Sequence, residues 1–262
     1  MRMVRTLICA AAAALGVSVL AAPAVAAPAA ENYVALGDSY ASGVGAGDYG
    51  DSGDCKRSAN AYPELWAAAN EAASFDFQAC LGARTDQVLE GQLDALTADT
   101  TTVTVTMGGN DAGFTDVMIT CNTSSDQGCL DRLAEAEDFV NTELPAKLDS
   151  VYAAIAERAP NATVYAVGYP RFYELDGSCN AGLSEVKREA INGAADTLVE
   201  VTAQRAEAAG VTFVDVRTAF DGHGICSDDW WLHSVKLPAD ESYHPNVAGQ
   251  NGYYEALAAV TG

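Results

Sequence analysis

The chain reads as an α/β protein built on a parallel sheet with helices on both faces. Three observations carry this. Short apolar runs alternate with longer helix-like stretches, several runs close on turn residues, and no Pro- or Ser-rich linker or internal repeat divides the 262 residues, so one domain is expected.

Strand-like runs fall at Tyr33 to Leu36, Ser74 to Gln78, Thr101 to Met107, Ala162 to Val167 and Val211 to Val216. Thr102-Val103-Thr104-Val105-Thr106 has the clearest β character, being wholly β-branched. Helix-like stretches lie between the runs at Tyr62 to Ala73, Thr85 to Leu96, Leu130 to Arg158 and Ser184 to Ala209, and a last one spans Val247 to Val260. Pro145 lies inside the third of these and predicts a break or kink there. The remainder reads as loop, including Gly43 to Arg57, Cys179 to Gly182 and Gly222 to Pro238.

Ahead of the first strand, Arg2 and Arg5 precede an apolar run from Leu7 to about Leu20 and then Ala24-Val25-Ala26. This pattern predicts a secretory signal over residues 1–26, cleaved after Ala26, with the mature domain at 27–262. A membrane anchor fits less well, because the run is alanine-heavy, Pro23 and Pro28 follow it, and a span needs about 20 strongly apolar residues. Of seven cysteines, Cys9 leaves with the signal. Cys55, Cys80, Cys121, Cys129, Cys179 and Cys226 remain, and in a secreted chain they suggest three disulfides. Fifteen connectivities are open; pairing neighbours in order closes the shortest loops without crossing. No Cys-x-x-Cys spacing marks a zinc site, and no metal or organic cofactor is expected.

Fourteen Lys and Arg face 36 Asp and Glu, for a formal net charge of −22. Such a chain lacks the basic clusters that bind phosphate backbones, so nucleic acid is excluded as a partner. Its acidity favours solubility over adhesion to anionic membranes, and a monomer without stable membrane insertion is expected.

The first strand runs directly into Gly37-Asp38-Ser39-Tyr40. These are ordinary turn residues, but in open α/β sheets the carboxyl edge of the strands is where ligands gather, and Ser39 stands there as a candidate nucleophile. Three elements follow in order: Gly82 after the second strand, Gly108-Gly109-Asn110-Asp111 after the third, and His244-Pro245-Asn246 before the last helix. Together they meet the needs of acyl transfer. A serine hydroxyl needs a base, and an imidazole suits that role. A glycine N–H and an asparagine amide are uncharged donors for an oxyanion. Singly, Gly82 could end a strand and Asn110 cap a helix. Coincidence does not explain all four at strand ends or before the last helix. The elbow Gly-x-Ser-x-Gly is not satisfied, because Ala41 stands where its last glycine belongs. His223 and His233 are weaker base candidates in an irregular region. Trp230 and Trp231 could line an acyl pocket, touch a lipid surface or simply pack.

On these four blocks, carried by Ser39, Gly82, Asn110 and His244, the chain resembles the SGNH, or GDSL, hydrolases over essentially its whole mature length. Its Gly-Asp-Ser-Tyr, Gly-Gly-Asn-Asp and Ser-Tyr-His-Pro-Asn segments look closest to secreted actinomycete lipases, esterases and phospholipases. The resemblance implies a flavodoxin-like, three-layer α/β/α sandwich with a five-stranded parallel sheet. Ser39 would be the nucleophile and His244 the base, with the Ser39 N–H, the Gly82 N–H and the Asn110 side chain as the oxyanion hole. Three sequential disulfides also fit it. The family usually carries Asp three residues before the histidine, where this chain has Glu241 beside Asp240. In the secreted actinomycete branch a main-chain carbonyl two residues before the histidine takes the orienting role, which here belongs to Ser242 and is preferred over Glu241. The function expected is a secreted serine esterase or lipase acting on lipid or short-chain esters through an acyl-enzyme. The alternatives are a phospholipase A or carbohydrate deacetylase on the same fold, and a catalytically silent lipid- or glycan-binding protein.

Overall fold

The computed structural model describes residues 31–177, 179 and 182–262; the expected signal and its cleavage point lie outside the described residues. Five strands form one sheet: β1 (Asn32–Gly37), β2 (Ser74–Phe77), β3 (Thr102–Thr106), β4 (Thr163–Val167) and β5 (Thr212–Val214). Their order is β2-β1-β3-β4-β5 with every pairing parallel. Strands covered on both faces are apolar without strict alternation. Tyr33 to Leu36 are accordingly all buried, and so is the whole of β3, with its threonines internally bonded. Tyr33 and Thr104 share a hydrogen bond of 2.6 Å, and Tyr62 and Thr106 one of 3.0 Å.

The helices are α1 (Ser39–Ser42), α2 (Tyr62–Ala69), α3 (Thr85–Gly91), α4 (Phe114–Thr123), α5 (Asp126–Thr142), α6 (Leu144–Arg158), α7 (Glu185–Ala208) and α8 (Val247–Thr261). One layer pairs α2 with α8, where Tyr62 stacks on Tyr253 at 5.5 Å. The other holds α3, α6 and α7, extended by α4 and α5. Leu144, Leu148 and Ile155 of α6 are fully buried beneath it. The break expected at Pro145 is real: α5 ends at Thr142, and Pro145 sits in the first turn of α6, where no intrahelical N–H is needed.

Two elements depart from the sequence reading. Residues 114–123, read as loop, are α4. Five β-branched residues, Thr115, Val117, Ile119, Thr120 and Thr123, give this stretch poor helix propensity. The helix is held from outside, by the Cys121–Cys129 bridge to α5 and by the Asn122 amide donating to the Tyr243 hydroxyl at 2.7 Å. The stretch expected to be helical from Thr85 to Leu96 leaves the α-helix at Gly91 and continues as a 3₁₀ turn, Gln92–Ala95. The cysteines bridge as Cys55–Cys80, Cys121–Cys129 and Cys179–Cys226, with Cα atoms 4.1, 4.4 and 4.8 Å apart.

The strand order reverses between β1 and β3, and the loops leaving these two strands open a crevice at the carboxyl edge. That edge carries Ser39 after β1 and Asn110 after β3.

Candidate active site

Ser39 opens α1, whose cap is Asp38: its Oδ1 accepts the Tyr40 N–H at 2.9 Å. The turn needs Gly37 just before it. That residue has φ +125°, and a Cβ there would strike the Thr106 backbone. Gln92, a buried side chain, holds Gly37 from the other side, accepting its N–H at 2.7 Å and donating to its carbonyl at 2.8 Å. These contacts fix the hydroxyl-bearing residue against β3.

His244 approaches from the far end of the chain. Its Nε2 lies 2.7 Å from Ser39 Oγ and its Nδ1 lies 3.0 Å from the Ser242 carbonyl. A carbonyl only accepts, so Nδ1 carries the proton and Nε2 turns its lone pair to the serine hydroxyl. Burial lowers the imidazole to about 4, against the upward pull of the Ser242 carbonyl. The ring is therefore neutral and able to take a proton at neutral pH. Protonation below about 4 removes the base, so kcat/KM should rise with pH through about 4 and then level off. A pH profile on a soluble ester checks this, and a limb at the ordinary histidine value of about 6.5 would contradict it. The same shift weakens the fold in acid, since between about 6.5 and 4 the unfolded chain takes up a proton that the folded one refuses.

Of the two acceptors the sequence leaves open for His244, the Ser242 carbonyl faces the ring. The Glu241 carboxylate is occupied elsewhere, accepting the Tyr49 hydroxyl at 2.8 Å and the Lys236 ammonium at 2.7 Å. Burial opposes its ionisation, but the bonds from Lys236 and Tyr49 outweigh this and hold the carboxyl below its ordinary range. Glu241→Gln should therefore leave kcat within about tenfold of the parent, whereas loss of a true triad carboxylate costs roughly 10⁴. Steady-state kinetics on a soluble ester separates the two.

The donors expected for an oxyanion converge on the crevice. Gly82 has φ +76° in open space, and its neighbours are pinned on both sides. Cys80 N–H donates to the Gly37 carbonyl at 3.0 Å, and Asn110 Nδ2 donates to the Ala83 carbonyl at 3.0 Å. Asp111 adds a second tie, accepting the Thr85 hydroxyl at 2.6 Å. Among the described residues, neither the Ser39 N–H nor the Gly82 N–H has an acceptor, and one amide hydrogen of Asn110 is likewise unmatched.

Tyr169, which the sequence reading passed over, links the same loops. Its hydroxyl donates to Asp38 Oδ2 at 2.5 Å and accepts the Gly109 N–H at 3.2 Å. Burial pushes the Asp38 carboxyl up to about 7, and the bonds from Tyr169 and Tyr40 work against that rise. Tyr40 ties the turn to the histidine loop, donating to the Tyr243 carbonyl at 2.6 Å. No motif flags Tyr169, because its partners lie far away in the chain.

Next to Ser39 an apolar pocket runs between α4, α5 and α7, walled by Phe114, Val117, Met118, Leu133, Ile191 and Leu198. Neither tryptophan lines it. Trp231 instead stacks on His223 at 3.8 Å, and Trp230 is about half exposed. The other two histidines are structural neighbours: His223 Nδ1 meets the Asp229 carbonyl at 2.8 Å, and His233 Nε2 donates to the Gly45 carbonyl at 2.8 Å.

Residues 35–251, most of the chain, match the GDSL-like lipase/acylhydrolase family. The chain belongs to this family. It is thus a carboxylic ester hydrolase, and its four sequence blocks meet in one crevice. It is 59% identical over 228 residues to Lipase 1 of Streptomyces coelicolor, covering 86% of this chain and 85% of that protein. A phospholipase A1 from Streptomyces albidoflavus NA297 superposes with a TM-score of 0.86 at 55% identity, over 88% of this chain and 99% of that one. The extracellular lipase of Streptomyces rimosus superposes equally well, with a TM-score of 0.86, 54% identity and the same coverage, 88% and 99%.

Proposed function

We propose that this protein is a secreted lipase that cleaves lipid acyl esters through a covalent acyl-enzyme on Ser39. The observation that carries the reading is the 2.7 Å contact between Ser39 Oγ and His244 Nε2, with Nδ1 committed to the Ser242 carbonyl. As Ser39 Oγ attacks the ester carbonyl, its proton passes to His244 Nε2. The oxyanion receives the Ser39 N–H, the Gly82 N–H and the Asn110 amide. The imidazolium then protonates the departing alkoxide, and water, activated by the same imidazole, releases the acid. The catalytic unit is a Ser-His dyad whose imidazole is oriented by a main-chain carbonyl.

The apolar pocket beside Ser39 favours a fatty acyl chain over an acetyl group, and so a lipid ester over a decorated carbohydrate. A phospholipid is a second substrate class, supported by the 55% identity to a phospholipase A1. Secretion rests on the signal pattern of residues 1–26, on the three disulfides and on the relative named as extracellular.

Protein recovered from the culture medium should begin at Ala27, and a serine-directed phosphonate should label Ser39 alone and stop hydrolysis. A panel of nitrophenyl esters, triglycerides and phosphatidylcholines then orders the substrates. Activity that survives full labelling of Ser39, or a preference for acetylated sugars, would overturn this function.

A further inference from the structure

Three of the large apolar side chains that the structure leaves in water fall within eight residues of one loop: Trp230, Val235 and Leu237, at 48%, 66% and 86% exposure. We propose that this segment, 230–237, docks the enzyme on an uncharged lipid–water interface. The proposal rests on the lipid-ester reading above and adds the surface through which aggregated substrate is met.

Continuity with the reacting groups is the first argument. The segment pairs directly with the histidine loop: His233 N–H donates to the His244 carbonyl at 2.9 Å, Tyr243 N–H to the His233 carbonyl at 2.9 Å, and Asn246 Nδ2 to the Trp230 carbonyl at 2.9 Å. Leu232, fully buried, bridges to Pro245 and anchors the segment from beneath. An interface met by this loop therefore lies over the pole of the molecule that carries Ser39 and His244.

The second argument is the side-chain pattern. Trp230 and Val235 line one open groove, and Ser234, Leu237, Pro238 and Ala239 continue an exposed, uncharged rim. Single exposed apolar residues are ordinary, but a cluster at one edge of a site marks a contact surface. A half-exposed indole also suits the boundary between water and acyl chains.

Charge selects the kind of lipid. The one cation in the segment, Lys236, is bonded to Glu241 at 2.7 Å, and nearby Lys56 pairs with Asp240 at 2.5 Å. Asp228 and Asp229 stand exposed beside Trp230, and the whole chain carries −22. An anionic surface would be repelled. A zwitterionic or neutral one would not.

The test uses the full chain in a Ser39→Ala background, so that vesicles survive the assay. Sedimentation with phosphatidylcholine vesicles should show binding, and Trp230→Ser with Leu237→Ser should weaken it by about tenfold or more. An equal mixture of phosphatidylcholine and phosphatidylglycerol should bind less well than phosphatidylcholine alone. In the active enzyme the same two substitutions should slow hydrolysis of micellar lipid by a similar factor and leave kcat/KM on soluble nitrophenyl acetate within about twofold. Unchanged vesicle affinity, tighter binding to the anionic mixture, or an equal loss on soluble ester would overturn the proposal. So would a dimer in solution that the two substitutions dissolve, which would assign the surface to a second copy. Vesicle binding by an enzyme that hydrolyses only soluble esters would support the docking surface and overturn the lipid-ester reading instead.

Discussion

Ser39→Ala should lower kcat by on the order of 10⁶, the loss seen when the nucleophile of a serine hydrolase is removed, while the protein stays folded. Ser39 is buried, only 5% accessible. Its Oγ has His244 Nε2 as its partner, and the turn around it is held by main-chain bonds that alanine preserves. These include Gly43 N–H and Val44 N–H to the Ser39 carbonyl, at 3.1 and 3.0 Å. Leaving Nε2 without its donor costs about 1–3 kcal/mol, which a domain stable by roughly 5–15 kcal/mol survives. Kinetics on a soluble ester together with a thermal melt checks both halves. Activity within tenfold of the parent would remove Ser39 as the nucleophile.

Asn110→Ala should lower kcat by about 10²- to 10³-fold and change KM far less, because the amide is asked to bind charge that exists only in the transition state. The residue also tethers two loops through its bond to the Ala83 carbonyl, 3.0 Å long. Loss of the tether alone would loosen the site and shift KM and melting temperature with kcat. Neighbouring ties limit this: Asp111 still holds Thr85, and Tyr169 still bridges Asp38 and Gly109. A lowered kcat with KM and melting temperature near the parent values identifies an oxyanion donor. KM and melting temperature that shift together with kcat reassign Asn110 to the tether, and an unchanged kcat removes it as a donor.

All five strands were legible in the chain because each is written locally, the inner β1 as a buried apolar run, β3 as a β-branched run and the edge strand β2 as alternating polar and aromatic residues. Ser39, Gly82, Asn110 and His244 were legible for a related reason, since each follows a strand or precedes the last helix. Helix α4 was not, because its β-branched residues argue against a helix and its support comes from α5 and Tyr243. The pocket it walls was hidden with it.

Neighbours far apart in the chain were equally invisible. Tyr169 meets Asp38 across 131 residues, and Gln250 donates to the Tyr40 carbonyl across 210. No periodicity or spacing encodes such pairs. The acceptor for His244 shows the boundary most sharply. Glu241 and the Ser242 carbonyl are both within three residues of the imidazole in sequence, and residue type alone allows either. The choice was made by Tyr49 and Lys236, which occupy both oxygens of the carboxylate. Residue type and order thus determine which chemistry the chain can perform, because they reflect local burial and the reactivity of single groups. Which oxygen orients the base, and what surrounds the acyl chain, are set by directions in space that exist only once distant segments have packed.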